Sequence, residues 1–201
     1  MHGFSGTAEG ADLRWNTPVK GLLVGSSLVA QDYVVDATDT LKSSGLTLNL
    51  SLAIKKHHTQ AYYAQCTIGK LRLDGEYRRL WRVSTSNFSG AQTFQRETSA
   101  DSRYGYVAAA YRVAKWLELG TYHSRYYPSW GALHSPPAGH VFDQTVTARF
   151  DIKSYLNLKV EGHFVDGYGD PSGFRGFYPS DNPQGLKPNM NMFVIRLGYS
   201  M

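Results

Sequence analysis

Between His140 and Asp166 the chain alternates apolar and polar positions through two consecutive runs. In the first, Phe142, Val146, Ala148, Phe150 and Ile152 share one parity, while Asp143, Thr145, Thr147, Arg149 and Asp151 take the other. After Lys153-Ser154-Tyr155 the alternation resumes, with Leu156, Leu158, Val160, Gly162 and Phe164 against Asn157, Lys159, Glu161 and His163. A repeat of two is the period of a strand with one greasy and one polar face, so the segment predicts a hairpin of two long strands. Each run exceeds the roughly five or six residues usual in a soluble strand. About ten tilted residues is the length that crosses a bilayer.

The same pattern recurs along the chain. From Thr7 to Asn16, Ala11, Leu13 and Trp15 oppose Asp12, Arg14 and Asn16, and Thr17 to Gly21 reads as a turn punctuated by Pro18. Leu22 to Val35 is apolar on both parities and is taken as a strand without an assigned face. Asp36 to Lys56 reads first as loop, through ATDTLKSSG, yet Leu46, Leu48, Leu50, Leu52 and Ile54 alternate cleanly, as an extra strand or a hairpin arm. Thr59 to Ile68 and Leu71 to Val83 pair across Gly69-Lys70, with Leu71, Leu73, Gly75, Tyr77 and Trp81 opposite Arg72, Asp74, Glu76, Arg78 and Arg82. A polar loop is expected from Ser84 to Asp101. Arg103 to Val113 and Leu117 to Tyr127 then form a hairpin around Ala114-Lys115-Trp116, and a loop with Pro128, Pro136 and Pro137 leads to the His140 hairpin. Gly167 to Asn189 is rich in Gly, Pro and Asp and reads as irregular. The last run, Asn191 to Met201, sets Phe193, Ile195, Leu197, Tyr199 and Met201 against Arg196, Gly198 and Ser200.

About nine strands result, with connections that alternate short and long. An all-β, antiparallel up-and-down transmembrane β-barrel sorts its loops in this way, short turns at the periplasmic end and long loops outside. That arrangement puts the C-terminal end at the periplasmic side and residue 1 outside, and predicts a single barrel domain over 1–201 that is part of a larger barrel with strands upstream, or in which one strand is not recognised by its pattern. MHGFSGTAEG carries none of the features of a secretory signal.

Composition changes the picture in three respects. Hydrophobic content of 42% at a mean hydropathy of −0.37 excludes spanning helices, and no apolar run approaches the roughly twenty residues such a helix needs. Fourteen Tyr, nine Phe and four Trp fall near predicted strand ends, at Trp15, Trp81, Trp116, Tyr126, Tyr127, Trp130 and Tyr155, where interfacial girdles use them. A net charge of +5 is scattered among acids, which gives a mild preference for anions and no indication of nucleic-acid binding.

The segments ADLRWNTPVKGL, LDGEYRR, YVAAAYRVAKWLELGTYHSRYYP, FDQTVTARFDIKSYLNLKVEGHF and NPQGLKPNMNMFVIRLGYS resemble the C-terminal portion of porin-like outer-membrane barrels of Gram-negative bacteria. The resemblance implies a place in the bacterial outer membrane, contact with outer-membrane lipid and with the barrel-assembly machinery, and passive diffusion of small hydrophilic solutes or ions. It leaves room for a homo-oligomer. Such proteins usually end in an aromatic residue; here the last residue is Met201.

The residues expected to line a pore are Arg14, Arg72, Asp74, Glu76, Arg78, Arg82, Arg112, Glu118, Asp143, Arg149, Asp151, Lys159 and Glu161. Charge in a water-filled lumen sets ion selectivity, and opposite charges on neighbouring strands also pair and stiffen the wall. No metal or cofactor is expected. Cys66 is alone, His57 and His58 are adjacent and so point to opposite faces of a strand, and His134 and His140 flank a Pro-Pro loop without a third ligand. Asp166 to Asp170, DGYGD, lacks the spacing and closing Glu of an EF-hand. No nucleophile elbow or nucleotide loop occurs, so no enzyme is expected. Competing readings are a soluble β-sandwich or lipocalin-like binding protein with the apolar face as its core, and a non-conducting barrel fragment.

Overall fold

A computed structural model describes residues 3–41, 46–90, 93–132, 139–167, 187 and 189–200. The described residues form one antiparallel up-and-down sheet of nine strands, each hydrogen-bonded to its neighbours in the sequence. They are β1 (Gly3–Asn16), β2 (Leu22–Leu41), β3 (Leu46–Ile68), β4 (Leu71–Gly90), β5 (Phe94–Ala114), β6 (Leu117–Tyr127), β7 (Val141–Lys153), β8 (Leu156–Asp166) and β9 (Asn189–Tyr199), with a 3₁₀ turn at Trp130–Ala132. Among the described residues β1 and β9 are the two edges and do not pair with each other, so this sheet is not closed into a barrel. Among the described residues no helix is long and apolar enough to cross a membrane.

The strongly alternating segments form strands close to the expected bounds, and β6 coincides with Leu117 to Tyr127. Two expected loops require correction. Asp36–Leu41 continues β2, and the Leu46–Ile54 run is one arm of the 23-residue β3. Ser84 to Asp101, read as a polar loop, lengthens β4 and β5 to 20 and 21 residues. The connections after β2 and β4 are therefore short in sequence, and the expected regular alternation of loop lengths holds only from β5 onward. Thr and Ser suit a strand as well as a loop when a cross-strand partner meets them. Thr38 Oγ1 donates to Asn49 Oδ1 at 3.0 Å, Ser84 Oγ lies 2.7 Å from Thr98 Oγ1, and the Phe88 and Phe94 rings stack at 4.4 Å. Lys42–Gly45, His134, Pro136, Pro137, most of Gly167–Asn189, including Tyr168–Asp170 of DGYGD, and Met201 lie outside the described residues.

The chain packs as two compact units. Unit 1 comprises Met1–Leu13, Ser26–Ala61 and Arg79–Asp101; unit 2 comprises Arg14–Gly25, Tyr62–Arg78 and Ser102–Met201. Unit 1 holds Ile54 and Ala61, both buried although seven positions apart, a separation that regular alternation would send to opposite faces. Lys56 lies between them at φ 53°, and its backbone N–H donates to Asp32 Oδ1 at 2.7 Å. A positive φ at a non-glycine residue interrupts the regular pleat of β3 at this point.

In unit 2 the register from β5 to β9 assigns the paired side chains to two faces. One face carries Val107, Ala109 and Tyr111, then Leu117, Leu119 and Thr121, then Val146, Ala148 and Phe150, then Leu158, Val160 and Phe164, then Phe193, Ile195 and Leu197. The charged residues that this face carries within the registered pairs stand at its ends: Arg103, Arg125 and Asp166 at one, Lys153 at the other. The apolar face is the exposed one. Val107, Phe193 and Leu197 are 66%, 69% and 66% accessible, and Val165 is the one buried apolar side chain of this unit among the described residues. Leu13 and Trp15, in β1, are likewise exposed.

A candidate pore-lining face

The opposite face of unit 2 carries the ionisable groups, and neighbouring strands join them. Arg72 on β4 reaches Asp74 at 3.0 Å and Glu118 on β6 at 3.8 Å. Glu118 also meets Arg112 on β5 at 3.1 Å. Arg112 pairs in addition with Asp151 on β7, and Asp151 accepts from Arg149 Nε at 2.8 Å. A continuous chain of alternating charge thus runs from β4 to β7. On β8 Lys159 and Glu161 pair at 2.8 Å. The reach of Arg112 over β6 has a local cause, since the β5–β6 register slips between Arg112 and Ala114 and the β7–β8 register between Asp151 and Lys153. A bulge bends and twists the strand and re-aims the side chain beside it. Each partner of the pair adjoins one of these slips.

The register also lines up a rung that the sequence does not display. Arg112, Glu118, Arg149, Lys159 and Arg196 are successive partners from β5 to β9, four cations and one carboxylate at a single level. Asp151 and Glu161 lie on the flanking rungs and offset part of that charge through the ion pairs above. What remains is a modest positive excess.

Farther along the same face, Asp143, Thr145, His163 and Tyr122 converge. His163 Nδ1 lies 2.8 Å from Asp143 Oδ2, and the Thr145 hydroxyl donates to Asp143 Oδ1 at 3.0 Å and lies 3.0 Å from the same ring nitrogen. Tyr122 meets His163 edge-on, with centroids 6.1 Å apart. Thr145 is wholly inaccessible. A proton on Nδ1 satisfies the carboxylate; hydroxyl and carboxylate then meet one nitrogen, unlike a catalytic triad, in which they take opposite nitrogens. The cluster cross-links three strands.

Arg14, Asp74 and Glu76 come together with Tyr63 and Tyr106 around a cavity of about 280 Å³, and the Arg78 guanidinium lies 5.3 Å above the Tyr104 ring. Of the residues expected from sequence, Arg72, Asp74, Arg112, Glu118, Arg149 and Asp151 join in one network, Lys159 and Glu161 pair beside it, and Asp143 belongs to the His163 cluster. Arg82 belongs to unit 1 and is not among them. Sequence reasoning left out Tyr104, Tyr106, Tyr122, Thr145, His163 and Arg196. Their parity was the available signal, because each of the first five shares a parity with a charged residue on its own strand, and Arg196 is itself the one charged residue of β9.

Compared with protein-family models, curated proteins and solved structures, the chain matches none.

Proposed function

We propose that the chain forms nine strands of a porin-like transmembrane β-barrel in a Gram-negative outer membrane, passing small hydrophilic solutes and ions by diffusion, with a mild preference for anions. The observation that supports this most is the inverted distribution of unit 2, whose apolar face is exposed and whose charged face is the sheltered one. Glu118 and Glu161 side chains are only 15% and 13% accessible. A soluble sandwich buries its apolar face between sheets, and water-soluble monomers rarely expose contiguous apolar surface beyond a few hundred Å². Lipid accounts for the apolar face, and a hydrated lumen accounts for the ladder of charge.

Aromatic residues mark both borders of the band. Trp116 stacks on Phe150 at 6.2 Å and Tyr155 meets Tyr199 at 5.7 Å beside the short turns. Tyr127, Trp130 and Phe142 cluster at the other end, with centroids 5.3 and 5.6 Å apart. Trp116 precedes and Tyr127 ends the 11-residue β6, which covers roughly 36 Å along the strand and about 28 Å across a bilayer at a tilt near 40°.

Strand direction constrains how such a barrel closes. β1 and β9 are both odd members of an antiparallel series and run the same way. Joining them directly would make a parallel seam, and a second copy in the same membrane orientation would meet the same difficulty. Antiparallel closure requires an odd number of further strands, which also gives the even total of bacterial barrels. These two open edges support a second reading, in which the chain inserts without conducting by itself.

Single-channel recording after refolding into planar bilayers under a salt gradient tests the proposal. Discrete steps with an anion-preferring reversal potential are expected. Silence from a chain that stays dissolved without detergent contradicts the proposal, whereas silence with detergent dependence selects the non-conducting reading.

A further inference from the structure

The apolar face of unit 2 ends in a groove of about 400 Å³ whose lining includes Tyr77, Arg103, Val107, Arg125, Tyr127 and Trp130, with Glu76 as its one carboxylate residue against two arginines. Its cations are bound into aromatic surface. The Arg103 guanidinium lies 3.9 Å over the Trp130 ring, and that of Arg125 lies 5.3 Å over Phe142. Trp130 meets Tyr127 edge-on at 5.3 Å, and Tyr127 meets Phe142 edge-on at 5.6 Å, so the rings form one cluster carrying both cations. Arg125 Nε donates to His123 Nε2 at 3.0 Å, which leaves the terminal nitrogens of the guanidinium to face the groove. Among the described residues no carboxylate pairs with Arg125. Asp166 shares its rung but is separated from it by Phe142 and lies 3.7 Å from His140.

An arginine on a lipid-exposed face costs about 2–4 kcal/mol at mid-bilayer and roughly 0–1 near the interface. Two of them at the outermost rungs of an otherwise apolar face therefore belong at headgroup depth. Guanidinium groups seated on aromatic rings keep a planar donor fork suited to phosphate oxygens. The groove below them continues onto Val107, which suits an acyl chain.

We propose that this groove binds the phosphorylated head of an acylated membrane lipid, with Arg103 and Arg125 holding the phosphate and the apolar floor taking the start of a chain. The proposal rests on the membrane reading above. Charge complementarity selects a phospholipid over a neutral lipid, and the exposed apolar floor selects a lipid over free phosphate.

Native mass spectrometry of the full chain refolded in neutral detergent tests it, with phosphatidic acid, diacylglycerol of the same chains, and inorganic phosphate as probes. One equivalent of phosphatidic acid is expected to bind about tenfold or more tightly than diacylglycerol, and the Arg103→Gln/Arg125→Gln pair is expected to lose that margin. Lys20→Gln, in the first turn, should keep it. The Arg103→Lys/Arg125→Lys pair retains charge and should keep part of it, and circular dichroism checks that each variant has kept its sheet. Equal binding of the two lipids, unaltered binding by the Gln pair, or full competition by inorganic phosphate alone overturns the proposal. Quenching of tryptophan fluorescence by lipid with brominated chains separates the two levels. Quenching without phosphate preference removes the lipid site alone; absence of quenching removes the membrane reading and the site with it.

Discussion

Arg112 on β5 and Asp151 on β7 pair across the intervening strand, and Glu118 of that strand binds the same guanidinium at 3.1 Å. Three strands are thereby tied at one level of the charged face. The side chains of the pair remain 32% and 23% accessible, so solvent screens it and its worth in stability is small. A double-mutant cycle of Arg112→Gln and Asp151→Asn, read by urea unfolding from vesicles, should give a coupling of about 1 kcal/mol or less. A coupling of several kcal/mol would mean that the face is far drier than a lumen.

The rung formed by Arg112, Glu118, Arg149, Lys159 and Arg196 should act on ions rather than on stability. Reversing Arg149 and Arg196 to Glu is expected to move the reversal potential under a salt gradient toward cation preference. Lys20→Gln, outside the rung, should leave it where it was.

Neighbouring positions on β8 should respond in opposite ways. Leu158 pairs with Phe150 and Leu197 on the apolar face, and Lys159 pairs with Arg149 and Arg196 on the charged one. Leu158→Arg is expected to cost about 2–4 kcal/mol of folding free energy in lipid, while Lys159→Leu costs less than about 1 kcal/mol. Tolerance of the first together with damage from the second would reverse the assignment of faces.

Thr145 is the most enclosed side chain described, and its hydroxyl meets both Asp143 and His163. Thr145→Val keeps the shape and the Asp143–His163 pair but removes the hydroxyl that donates to Asp143 Oδ1, with an expected loss of roughly 1–3 kcal/mol. Thr145→Ser should recover most of it, as thermal unfolding in detergent would show.

The hairpin of β7 and β8 was legible in the sequence because Thr145 to Ile152 and Leu156 to Phe164 alternate on its two arms. The long arms of β2 to β5 were not. Thr38, Ser84 and Thr98 are polar residues whose strand conformation depends on partners across the sheet, and the positive φ of Lys56 within β3 has no signal in the sequence pattern. The candidate site was legible as a list and hidden as an arrangement. Arg112, Arg149 and Lys159 are charged on the correct parity, yet their alignment with Arg196 depends on the slips near Val113 and Ile152, which pattern alone does not place. The groove at Arg103 and Arg125 escaped notice because both belong to the apolar parity, and their level on the face emerges only once β5, β6 and β7 are paired.

The most direct test of the central claim is a cysteine scan of β8 from Asn157 to Phe164 in a Cys66→Ser background, with the protein reconstituted into vesicles. Each thiol is treated with a charged, water-soluble maleimide, and a fluorophore at each is quenched by brominated lipid chains. The account predicts that positions 157, 159, 161 and 163 take up the maleimide, while positions 158, 160, 162 and 164 are quenched by lipid. Uniform labelling of both sets, or quenching on the charged parity, would contradict it.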